Sequence, residues 1–187
     1  MKNHPLYEEF RLVFLFIVLT LAIHFAFRFW AIVLNYAPLS VFMSDLGDQM
    51  VTQQYMITFW SLDHIFHIPY AIQGSVIWFS NHHGFYINEN CSGMKQIAQF
   101  VVLMLFFRGP WIHRLWHIPL GVIAVYMTAV IRVVLLAVTE STIPHYYYFF
   151  HDFLLRVLFY IVIFLFWLFW IRKFTLKILK ADVQPQP

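Results

Sequence analysis

Apolar residues run along this chain in long blocks separated by short polar breaks. From Leu12 to Leu34 only Thr20, His24 and Arg28 interrupt the run. Blocks approaching or exceeding about 18 apolar residues match the roughly 30 Å of hydrocarbon that a helix must cross. The pattern predicts four spans: Leu12–Leu34, Ser92–Phe107, Leu115–Val138 and Phe153–Ile171. The second is short, about 24 Å at 1.5 Å per residue, so it starts at the interface or the bilayer thins around it. The first run lacks the short apolar region and small-residue cleavage site of a signal peptide, and reads as a retained helix.

Between the first two spans the pattern changes. Residues 49–67 mix apolar and polar positions, which predicts an amphipathic helix lying in the interface. Ser75–Phe79 and Phe85–Asn88 flank the polar turn Asn81-His82-His83-Gly84, and predict a short β-hairpin that delivers the chain to Cys91. The expected fold class is an all-α integral membrane protein. It is one domain over residues 1–187, a small bundle of about four transmembrane helices with an extracytoplasmic amphipathic helix and a short hairpin.

Composition agrees with that class. Hydrophobic residues make up 61% of the 187 and charged residues 11%, against about 25% charged in a soluble domain. Too little charge remains to clothe a water-facing surface. Charge then sets orientation. Lys2, Arg11, Arg108, Arg114, Arg172, Lys173, Lys177 and Lys180 fall on one side of the four spans, and residues 35–90 and 139–152 contain no Lys or Arg. The positive-inside rule puts both termini in the cytoplasm and those two loops outside. Nothing in the small net charge of +3 implies nucleic acid, and no oligomeric state can be read.

The remaining cations, Arg28, Lys95, Arg132 and Arg156, lie in the outer halves of their helices. Arg132 is about 9 Å deep, where a cation is costly and usually faces the bundle interior or a wet cavity. Cys91, the one cysteine, excludes a disulfide within the chain and a multi-thiolate zinc site. It lies where the outer loop enters the second span, beside the positive end of that helix dipole, which favours a thiolate. His151 stands at the head of the fourth span, with Asp152 read as its N-cap. A thiol to attack a carbonyl, an imidazole to shuttle protons and a guanidinium to steady an oxyanion form a coherent set. Glu89, Lys95 and Arg156 are candidates for substrate contact. His64 and His67, at i and i+3, offer a metal-binding alternative to an interfacial helix; no metal or cofactor is otherwise implied.

The motif Asn90-Cys91-Ser92-Gly93-Met94 ahead of an apolar span resembles the Cys-Ser-Gly element of the exosortase and archaeosortase family. Ala129-Val130-Ile131-Arg132-Val133 resembles its arginine helix, and His151 matches its histidine in order and setting. The likeness covers roughly residues 70–170. It implies a membrane-embedded cysteine transpeptidase acting on exported proteins with a C-terminal sorting signal: a short motif, a hydrophobic helix and a basic cluster. On that resemblance Cys91 is the nucleophile, His151 the general acid/base and Arg132 the electrostatic stabiliser. A thioester on Cys91 would pass to an acceptor amine or to water. Two features depart from the family. Many members have further spans, and Thr128 and Ala129 stand where the family often has Asn. Two other classes compete with the enzyme: a non-enzymatic assembly or export partner using Arg132 and Arg156, and a small transporter using the histidines.

Overall fold

The computed structural model describes residues 5–33, 38–88 and 91–176. Among them are five principal helices and one small sheet. Helix α1 is Pro5–Val33 and α2 is Pro38–Ser61, continued by a wide turn over Leu62–Phe66. Strands β1 (Tyr70–Gln73), β2 (Val76–Phe79) and β3 (Gly84–Tyr86) precede α3 (Met94–Phe106) and α4 (Trp111–Thr142). The last helix, α5, runs through Pro144–Thr175 with its regular part at Leu155–Trp170.

Two helices, α4 and α5, are long and apolar enough to cross a bilayer; Phe10–Ala26 and Met94–Phe106 are shorter apolar helices. Large apolar side chains stand exposed along the outer faces: Phe14, Leu21, Leu115, Ile123, Ile161 and Leu165. Contiguous exposure of this kind is penalised in water and costs nothing against lipid tails.

The inner faces form two apolar cores, stacked along α4 and α5. In the first, Leu12, Phe16 and Ile23 of α1 meet Phe100, Leu103 and Met104 of α3, Val125 and Ala129 of α4, and Phe159, Ile163 and Trp167 of α5. In the second, Ile77, Phe79 and Phe85 of the sheet meet Leu62, Cys91, Val133, Leu136 and Ala137. On α4 the boundary between the cores falls between Ala129 and Val133.

The sheet is an antiparallel meander, with Tyr70 opposite Phe79 and Val76 opposite Tyr86. Alternation fixes its inner face: Ile77 and Phe79 are buried while Trp78 points out. Gly84 has no side chain because a Cβ would come within 2.9 Å of Val76 and 3.2 Å of the Trp78 ring. Tyr55 of α2 ties the sheet down. Its hydroxyl accepts from the Ile87 N–H (2.8 Å) and donates to the Ser75 carbonyl (2.6 Å). At the other end, the Asn81 side chain donates to the Glu140 carbonyl (2.7 Å) at the end of α4.

The structure differs from the sequence expectations in three places. Helix α2 begins at Pro38 rather than near residue 49, and it packs against α4, with Gln54 and Thr58 fully buried. A third strand, β1, pairs on the edge of the expected hairpin segments; with Ala71, Ile72 and Gln73 all exposed it shows no alternation to read. Helix α5 starts well before Phe153, so Asp152 lies inside a helix and does not cap one.

Gly121 shows how closely α3 and α4 approach: a Cβ there would lie 2.1 Å from the ring of fully buried Phe100. Gly121→Val should therefore destabilise the protein by about 1–3 kcal/mol through overpacking. Adding Phe100→Leu should recover part of the loss, as read by thermal unfolding in detergent.

Candidate functional site

The chain reaches Cys91 through a tight turn. The Cys91 N–H donates to both the backbone carbonyl (2.9 Å) and the side-chain Oδ1 (3.2 Å) of Asn88. Ser92 is fully buried, and its hydroxyl accepts from the Met94 N–H at 3.2 Å, which serves the first turn of α3. Gly93 adopts the left-handed conformation, φ +84°, which costs glycine little and other residues about 1 kcal/mol or more. A Cβ on Gly93 would lie 2.8 Å from the Cβ of Ala129. Two small residues thus let the start of α3 touch α4 one turn before Arg132. The thiol of Cys91 is 7% exposed, at the edge of the second core.

Arg132 sits at the boundary between the two cores and is 6% exposed. Its Nη2 donates to the His151 backbone carbonyl at 3.5 Å, a long bond, and its guanidinium lies 5.7 Å from the centroid of the Phe159 ring. The Nε has no hydrogen-bond partner among the described residues. A buried N–H donor left unpaired costs about 1–3 kcal/mol, so a position that keeps one is equipped for an anion.

His151 lies in a wide helical turn, Phe150–Leu154, where the Leu155 N–H bonds the carbonyl of Phe150, five residues back. Single turns of this π type often occur at functional sites, where they re-aim side chains. The imidazole Nδ1 is 2.8 Å from Asp152 Oδ1, and the ring stacks on Tyr147 at 5.6 Å between centroids. Arg156 donates to the same Asp152 oxygen at 3.2 Å. Arg132 thus links α4 to α5 through the His151 carbonyl, while Cys91 packs in the second core with Val133 of α4 and Leu155 of α5. The structure adds Asp152, Tyr147 and Gln54 to the surroundings.

Lys95 is exposed on the first turn of α3, and Arg156 is exposed beside Asp152. Glu89, Asn90 and the side chain of Arg28 lie outside the described residues. His64 and His67 each direct Nδ1 at the carbonyl four residues back, Trp60 at 3.1 Å and Asp63 at 2.7 Å. No group of three or more metal-ligating side chains occurs among the described residues.

A family model for the transmembrane exosortases matches residues 9–169. The chain belongs to the transmembrane exosortase family. No curated protein matches it, and no solved structure does. The matched stretch spans α1 to α5 and contains every element that brings a polar group to the site. This exosortase-family protein is accordingly a membrane protein, with Cys91 in the turn that opens α3, Arg132 on α4 and His151 on α5.

Gln54 was not singled out in the sequence because its stretch read as interfacial. Its Nε2 donates to the Ser92 carbonyl at 3.0 Å from a fully buried position. The one legible signal was its spacing from Thr58, which places two small polar groups on one helical face. Gln54→Met keeps the length and removes the donor to the Ser92 carbonyl. It should lower stability by about 1–3 kcal/mol and raise the rate at which Cys91 reacts with a small alkylating reagent, both measured on detergent-solubilised protein.

Proposed function

We propose that this exosortase-family protein is a membrane cysteine transpeptidase that cleaves the C-terminal sorting signal of exported proteins. The observation that carries the reading is the unpartnered, buried Arg132 Nε, on a guanidinium that also touches the backbone of His151. A cation buried on a membrane helix, with one donor unpaired and another on the backbone of the candidate histidine, fits anion stabilisation better than lipid anchoring.

Four spans place both termini in the cytoplasm and this cluster on the extracytoplasmic side, where an exported substrate presents its motif. The thiolate of Cys91 attacks the scissile carbonyl carbon, and the oxyanion that develops is met by Arg132. The carbon–nitrogen bond breaks as His151 gives a proton to the departing amine, leaving a thioester on Cys91. An acceptor amine or water then attacks that carbonyl, loses its proton to His151, and the carbon–sulfur bond breaks to restore the thiolate. Lys95, Arg156 and Glu89 are assigned to substrate contact. The substrate's hydrophobic helix docks laterally against the bundle, within the lipid.

The test is processing of a co-expressed exported protein ending in a short motif, a hydrophobic helix and a basic cluster. Cys91→Ala and His151→Ala should abolish cleavage with the protein still present in the membrane. Arg132→Gln should slow it roughly 10²–10³-fold, the usual effect of removing one oxyanion donor. Cleavage at the wild-type rate by Cys91→Ala would eliminate the thiol mechanism.

A further inference from the structure

Asp152 holds the geometry of a third member of the proton-transfer machinery. In an acid/base pair the imidazole must present the correct nitrogen, and the tautomer is set by what the other nitrogen bonds. Here His151 Nδ1 lies 2.8 Å from Asp152 Oδ1. A carboxylate at that distance accepts the Nδ1 proton and leaves Nε2 as the basic nitrogen.

Two further contacts fix the arrangement. Arg156 Nη2 donates to the same Asp152 oxygen at 3.2 Å, one helical turn on, so the carboxylate is held although its side chain is 57% exposed. The ring of Tyr147 stacks on the imidazole with 16° between planes, which limits rotation about the remaining torsion. All four residues belong to α5, and His151 and Asp152 both lie in the wide turn at Phe150–Leu154. Arg132 reaches in from α4 to the carbonyl of His151 itself.

From this geometry we infer that Asp152 is a positioning residue that fixes the tautomer and orientation of His151, and that Arg156 acts by holding Asp152. The inference rests on the proposed role of His151 as acid/base. It gives Arg156 a task inside the protein in addition to substrate contact.

The experiment compares the full-length membrane protein with Asp152→Asn, Asp152→Ala and His151→Ala in a processing assay that separates kcat from KM. Asp152→Asn keeps the size and offers an amide in place of the carboxylate. It should lower kcat by roughly 10²–10⁴-fold, as loss of an orienting carboxylate does elsewhere, with KM within about twofold of wild type. Added formate should restore part of the activity of Asp152→Ala, because the position is open to solvent; a merely structural role for Asp152 gives no such rescue. Asp152→Asn at the wild-type rate beside an inactive His151→Ala would overturn the inference and leave the acid/base role of His151 standing. Full activity in His151→Ala would overturn both. A loss in Asp152→Ala that formate does not relieve would count against positioning and assign Asp152 to stability.

Discussion

A guanidinium buried where two apolar cores meet is the constraint around which the rest of the structure is arranged. Arg132 follows Ala129, which packs in the helical core, and precedes Val133, which packs under the sheet. Its charge cannot be buried there without partners. What surrounds it is a carbonyl and an aromatic face, both from α5. Burying the arginine therefore fastens α4 to α5 at this level.

Small local devices set the elements around it. Gly93 and Ala129 let the Cys91 turn approach α4 more closely than any larger pair would. Gln54 and Asn88 hold the two ends of the same turn by hydrogen bonds. In the wide turn at Phe150–Leu154, His151 and Asp152 meet at 2.8 Å. Above them, the sheet is fastened to α2 by Tyr55 and to the end of α4 by Asn81 and by the His83–Glu140 contact at 3.2 Å. The site thus rests on rigid elements, as catalytic geometry requires.

Much of this was legible before any coordinates. Long apolar blocks announced α4 and α5, because period is a local property; the second span, read from Ser92, begins only at Met94 because Gly93 is left-handed. The strand segments around Asn81–Gly84 were visible through their alternation, whereas β1, exposed at three of its four residues, had none. Gln54 escaped because a buried glutamine on an amphipathic stretch looks like a surface one until its partner, 38 residues away, is known. Asp152 was misread as a cap because the start of α5 contains polar and aromatic residues that hide the helix from a hydropathy pattern. Whether distant motifs meet is a tertiary fact, and the contact of Arg132 with His151 had no counterpart in spacing.

The most direct test of a thiol-centred mechanism is to trap the intermediate itself. The full-length protein is allowed to process its substrate, quenched in acid, and the peptide containing Cys91 is weighed before and after hydroxylamine. A substrate-derived adduct on Cys91 that hydroxylamine removes is the predicted result. Cleaved product accumulating while Cys91 stays a free thiol, with no adduct at any time point or in the slowed Arg132→Gln variant, would contradict it.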